Sequence, residues 1–131
     1  MNPEPPPDVP EVLRHYLRMW NERDPAEIRA HLDRCVGDDC WWVDPVHQHT
    51  GRDGLEANVR EFRATYPDAD LGLGSNVDSH NGRHRYEWYI TSSPGELLIR
   101  GLDVVTVDDD SGLINRVDGF FGALDRSGPG S

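Results

Sequence analysis

From Val12 onward, Val12, Leu13, Tyr16, Leu17 and Trp20 recur on one helical stripe, while Arg14, Arg18 and Glu22 lie off it. That spacing predicts an amphipathic helix ending within Asn21–Asp24. Asp24-Pro25-Ala26-Glu27 restarts the chain as a second helix, with an acid at the N-cap, proline at the first helical position and an acid three residues on. This helix buries Ile28 and Leu32 and stops near Gly37. Cys40–Asp44 reads as a short strand that Pro45 ends. A third helix is predicted over Asp53–Thr65, with Leu55, Val59, Phe62 and Tyr66 on one face and Pro67 closing it.

The remainder alternates with the two-residue period of strands. Leu71–Asp78 is a weak, glycine-containing strand. Arg83–Ser92 places Tyr86, Trp88 and Ile90 on one side and Arg85, Glu87 and Tyr89 on the other. Ser93-Pro94-Gly95 turns into a strand over Leu97–Val107, and Asp108–Gly112 turns into another over Leu113–Phe121. Helices first and an antiparallel meander after them give an α+β fold, with a pocket between the layers. Residues 1–10, with five prolines, read as a disordered lead-in; residues 11–125 form a single domain; residues 126–131 form a flexible tail.

Composition removes several functions. The formal net charge of −11 argues against nucleic-acid and anionic-membrane partners. All 13 basic residues are arginine, so neither a Schiff-base lysine nor a P-loop lysine exists. The arginine bias resembles a GC-rich bacterial genome. No apolar run reaches the ~18 residues of a membrane span, and Met1–Pro10 lacks the features of a signal peptide. A cytoplasmic location follows as the expectation. Cys35 and Cys40, placed in a loop, are read as reduced thiols. Neither a Gly-x-Ser-x-Gly elbow nor a phosphate-binding glycine loop is present.

Three polar residues stand in apolar company. Asp103 lies within Leu97–Val107 and shares a strand face with Ile99, Gly101, Val105 and Val107. On an internal face its pKa would rise, allowing it to donate while neutral; at an edge it would pair with Arg100 or Arg116. Asp44 follows Trp42 on the same side of its strand, as a proton shuttle or as an ordinary Asp-Pro turn initiator. Tyr16 occupies the first helix's apolar stripe. His47 and His49 could reach one point, but Asp44 is the only close third ligand, and no metal is expected. His80 and His84 flank the hairpin signal Asn81-Gly82 and are expected in solvent; Asp118 is expected outside the pocket, paired with Arg116 or Arg100.

Taken in order, Tyr16-Leu-Arg-Met-Trp-Asn21-Glu-Arg-Asp24, Val43-Asp44-Pro45-Val46, Leu102-Asp103 and the run from Gly112 to Gly122 resemble bacterial ketosteroid isomerase. They also resemble the wider nuclear transport factor 2-like superfamily with its SnoaL-like polyketide cyclases. The resemblance implies a cone-shaped, curved antiparallel sheet, the cystatin-like α+β barrel, with N-terminal helices closing an apolar pocket. It also implies roles: Asp44 as general base, and Tyr16 with protonated Asp103 as donors to an oxyanion. Ketosteroid isomerase is the established example of a carboxylic acid kept neutral to donate in this way, so the mechanism is carried over from the family. The family's supporting tyrosine on the third helix has Val59 in its place.

The expected pocket residues are Trp20, Trp42, Val59, Phe62, Tyr86, Trp88, Val105, Asn115, Val117 and Gly119, with Gly101 and Gly119 widening the cavity locally. No cofactor is implied. The expected activity is proton transfer next to the carbonyl of a hydrophobic ketone or polyketide-like molecule, as an isomerase or cyclase. A hydrolase or dehydratase with His47 or Asn115 in the cavity, or a non-catalytic binding module, are the alternatives. Homodimerisation through the outer sheet face, with Tyr89 and Leu98 adding apolar surface, is also implied.

Overall fold

The computed structural model describes residue 5, residues 9–93 and residues 95–122. Most of the proline-rich lead-in, Pro94 of the predicted turn, and the tail at 126–131 lie outside the described residues. Val9, which the sequence places in the lead-in, is buried in the core.

Helix α1 spans Glu11–Trp20 and buries Leu13, Tyr16, Leu17, Met19 and Trp20, as its stripe predicts. Helix α2 spans Pro25–Cys35, with the Asp24 side chain accepting from the Ala26 N–H at 3.0 Å. Helix α3 spans Arg52–Thr65 behind Gly51, whose φ of +86° suits a residue without a Cβ.

The strands are β1 Val36–Val43, β2 Gln48–Thr50, β3 Asp70–Leu73, β4 Asp78–His80, β5 Arg83–Thr91, β6 Leu97–Val107 and β7 Ile114–Phe121. They form one sheet in the order β2-β1-β7-β6-β5-β3, with β4 pairing β5. Register shifts at Val36/Trp41, Ile90/Thr91 and Thr106/Val107 accompany its curl. The curled sheet remains unclosed, because β2 and β3 stand at opposite ends of the path. Inward residues of β5, β6 and β7 share one hydrophobic core with the helices. The fold is the expected α+β.

Several local expectations are corrected. The β1–β7 pair is parallel, interrupting the antiparallel meander. The segment from Leu71 to Asp78 breaks into β3 and β4, which both pair with β5. The histidine loop contains the short strand β2, stabilised by pairing with β1 rather than by its own hydrophobicity. Strand β1 starts earlier than expected, so Cys35 ends α2 and Cys40 lies within β1. Both thiols are buried and free, and burial pushes each up to about 12. His84 is buried, not exposed: its Nδ1 lies 2.6 Å from Ser79 Oγ across the β4–β5 pair. Tyr89 and Leu98 do not make a common outer face, since Leu98 turns to the cavity described below.

Two buried polar side chains tie α1 to the far edge of the sheet. Asn21 donates to the Leu71 carbonyl at 2.8 Å and accepts from the Leu71 N–H at 2.7 Å, thereby acting as a peptide surrogate. Arg63 donates to the carbonyls of Trp20, Tyr66, Pro67 and Ala69. Burial lowers the Arg63 pKa, and these carbonyls take up both terminal nitrogens of the guanidinium, leaving only its buried Nε without a partner. Asn21→Ala should therefore lower unfolding free energy by about 2–4 kcal/mol, since it orphans a buried donor and acceptor together. Urea denaturation measures this; a loss under about 1 kcal/mol would rule out the clamp as a major contributor.

Candidate functional site

A cavity of about 410 Å³ opens between α1, α3 and the inner side of the sheet. This volume suits a small organic ligand. Tyr16, Asp44 and Asp103, far apart in sequence, all line it.

Register explains the convergence. Tyr86 on β5 pairs with Asp103 on β6, which pairs with Gly119 on β7. Val43 at the end of β1 pairs with Asp118, which brings Asp44 beside Gly119. A Cβ placed on Gly119 would lie 2.9 Å from Asp103 Oδ1 and 3.2 Å from Asp44 Cβ. The two acids therefore approach each other over a position that has no side chain. One rung away, Trp88 pairs with Gly101, where a Cβ would come 2.5 Å from the indole. Gly101 does not widen the cavity as expected; the indole occupies its space and reaches Asp103.

Asp103 accepts at Oδ1 from Trp88 Nε1 (3.0 Å) and at Oδ2 from the Tyr86 hydroxyl (3.3 Å). Those donors favour its ionised form. Desolvation outweighs them, and with the nearby Asp44 charge it raises the carboxyl from 3.8 to about 7. An indole N–H can only donate. Oδ1 therefore serves as acceptor in either protonation state, and in the neutral acid the proton belongs on Oδ2.

Tyr16 is fully buried, and its pKa is raised by burial and then by Asp103. Its oxygen accepts from Trp42 Nε1 at 2.8 Å. Because that indole is also donor-only, the Tyr16 proton remains available, and it finds no acceptor among the described residues. The supporting donor thus comes from β1; Val59, at the α3 position expected for a tyrosine, is buried in the core.

Asp44 Oδ1 accepts from the peptide N–H groups of Val46 (2.9 Å) and His47 (2.7 Å). This is the turn geometry that Asp-Pro favours, and it leaves Oδ2 without a protein partner among the described residues. The turn and the cavity roles are compatible. His47 also lines the cavity, its Nδ1 being 3.5 Å from Asp44 Oδ1. His49 instead stacks on Trp42 with centroids 5.1 Å apart.

Of the expected wall, Trp20, Trp42, Phe62 and Trp88 do line the cavity. Val59, Val105 and Val117 are enclosed in the core behind it, where strand alternation alone could not separate wall from core. Tyr86 stands behind Asp103, Gly119 lies beneath the two acids, and Asn115 is off the wall. Asp118 lies outside the cavity and pairs with Arg116 at 2.8 Å. Sequence reasoning does not assign to the pocket Asn58 and Glu61 of α3, or the rim residues Val46, Tyr66, Leu98 and Phe121, of which it places Tyr66 only on the apolar face of the third helix and Leu98 only on the outer sheet face. Exposed apolar side chains are ordinary in sequence; only their convergence marks a mouth. Among the described residues no cluster of three or more His, Cys, Asp or Glu could hold a metal ion, and no helix is long and apolar enough to cross a membrane.

A family model described as a SnoaL-like domain matches residues 13–117. Among solved structures, a candidate isomerase of the SnoaL-like family from Agrobacterium tumefaciens strain C58 is similar at 28% identity. That alignment covers 86% of this chain and 95% of the other, with a TM-score of 0.79. A candidate polyketide cyclase from Sinorhizobium meliloti (13% identity, 86% and 95% covered, TM-score 0.68) shares the fold. So does a candidate ketosteroid isomerase from Kribbella flavida (21% identity, 90% and 80% covered, TM-score 0.60). No curated protein matches the chain.

The raised Asp103 pKa couples folding to pH. Between about 4 and about 7 the unfolded chain releases this proton while the folded protein keeps it. The contribution is therefore complete below pH 4 and is lost as pH rises to 7, on the order of 2–4 kcal/mol in all. Asp103→Asn, which cannot ionise, should flatten this part of the stability profile. Denaturant midpoints from pH 4 to 8 test it; parallel profiles for the two proteins would disprove the linkage.

Proposed function

The chain belongs to the SnoaL-like domain family, and from that premise we propose that it catalyses proton transfer next to the carbonyl of a hydrophobic ketone. The observation that carries this reading is the unspent proton of Tyr16, buried beside Asp103 in a cavity that Asp44 also lines.

The substrate carbonyl accepts from Tyr16 and from the Asp103 proton. Asp44 Oδ2 takes a proton from the adjacent carbon, and the electron pair moves onto oxygen as an enolate. Two donors fixed by packing stabilise that charge without reorganising. In an isomerisation, Asp44 returns the proton to the γ carbon and the double bond shifts into conjugation. In a cyclisation, the enolate carbon attacks a second carbonyl and the new alkoxide takes the proton. Neither route needs an oxidant or reductant. Aromatic walls and the exposed apolar rim favour a hydrophobic substrate.

One observation favours a second reading. His47 and Asp44 both line the cavity, and Asp44 Oδ2 has no protein partner among the described residues, so a water held on that oxygen would make the protein a hydrolase or dehydratase. Labelled solvent oxygen in product outside the exchangeable ketone would select hydrolysis, and loss of one water from the substrate would select dehydration, over isomerisation.

With a cyclic β,γ-unsaturated ketone, wild type should produce the conjugated isomer, followed by absorbance. Asp44→Asn should lower kcat by about 10²- to 10⁴-fold, and Tyr16→Phe by about 10²- to 10³-fold. Turnover should decline as pH rises through about 7, where Asp103 loses its donor proton. A wild type that binds the ketone and leaves it unchanged would refute the isomerase reading.

A further inference from the structure

The carboxylic acids facing the cavity outnumber its basic groups: among the described lining residues His47, beside Asp44, is the one basic side chain. Asp44 and Asp103 lie at the floor, and Glu61 stands on its α3 side. Among the described residues no arginine lines the cavity, although the chain has 13. The nearest arginines in sequence are committed elsewhere: Arg60 bonds Glu56 at 2.9 Å, and Arg63 bonds backbone carbonyls. Glu56 on the same helix is paired with Arg29 and Arg60, whereas Glu61 forms no ion pair among the described residues.

The walls add to this field. Trp20, Trp42, Phe62 and Trp88 present aromatic rings whose faces carry negative potential and attract cations. The Tyr16 proton, without a protein acceptor, calls for an acceptor atom on the ligand at the floor. The cavity thus offers the buried Tyr16 donor and, on α3, the solvent-exposed carboxylate of Glu61, among apolar, electron-rich walls. A carboxylate or phosphate inside it would meet like charge from three acids, with no arginine and only the imidazole of His47 to oppose them among the described lining residues.

We propose that this cavity selects an apolar ketone carrying a basic amine at the end away from its carbonyl, held by Glu61, and rejects the corresponding carboxylate or phosphate. The inference rests on the proposed carbonyl position at Tyr16 and Asp103, and it names the substrate class for that site.

Three phenylcyclohexanones test it: unsubstituted, para-aminomethyl and para-carboxylate, titrated against the full chain by indole fluorescence. At low salt the aminomethyl ketone should bind at least about tenfold more tightly than the carboxylate, and added salt should shrink the ratio. Glu61→Gln should reduce the ratio about threefold or more, with thermal unfolding confirming an intact fold. Asp110→Asn, on an exposed turn outside the cavity, controls for net charge and should leave the ratio unchanged. Equal or tighter carboxylate binding, a ratio indifferent to Glu61→Gln, or no binding of any of the three would overturn the inference. Conjugation of the β,γ-unsaturated ketone is scored separately. Turnover without amine preference defeats the inference alone; amine preference without turnover defeats the isomerase reading alone.

Discussion

The floor of the cavity depends on two absent side chains. Gly101 lets the Trp88 indole lie across β6, and Gly119 lets Asp103 approach Asp44. A Cβ at Gly101 would meet the Phe120 carbonyl and the Trp88 ring, one at Gly119 would meet the two acids, and strand β6 is held on both sides by long ladders. The acid therefore lies where burial dominates its ionisation. Two hydrogen-bond donors pull its pKa down, yet desolvation wins and leaves it near 7.

Donor-only groups give this floor its direction. Each of the indoles of Trp42 and Trp88 supplies one N–H and can accept nothing. One holds the Tyr16 oxygen and the other holds Asp103 Oδ1, so both remaining protons are left for other acceptors. Support for Tyr16 comes from the sheet, not from α3, where Val59 is a core residue. The surrounding scaffold keeps these groups in place through Asn21 and Arg63, which satisfy the backbone where α1 ends, α3 ends and β3 begins. An aromatic site of this kind is rigid at little entropic cost, because its side chains have few rotatable bonds and pack on one another.

The arginine-free, acid-rich lining changes what the site can recognise. Elsewhere on the chain, arginines accompany acids: Arg29 serves Asp33, Asp53 and Glu56, and Arg116 serves Asp118. Among the described residues lining the cavity there is no arginine, and His47 beside Asp44 is the one basic neighbour. The difference between an arginine-paired surface and an arginine-free cavity wall is an electrostatic preference, independent of which chemical step Asp44 performs.

Helix periodicity, the Asp24-Pro25 cap and strict alternation in β5 and β6 were legible because they are local: neighbours within a few residues decide them. They already placed Tyr16 on the apolar stripe of α1 and Trp88 on one strand face with Tyr86 and Ile90, while Asp103 stood between an internal face and an edge. Strand β2, the division between β3 and β4 and the burial of His84 were not legible, since each exists only through a partner strand. Alternation likewise could not tell Val105 and Val117 from true wall residues, because an inward face contains both core and cavity. Sequence alone settled which faces turn inward and which residue types could do proton chemistry. Tertiary structure decided which of them meet, because register across β5, β6, β7 and β1 sets distances that no local pattern encodes.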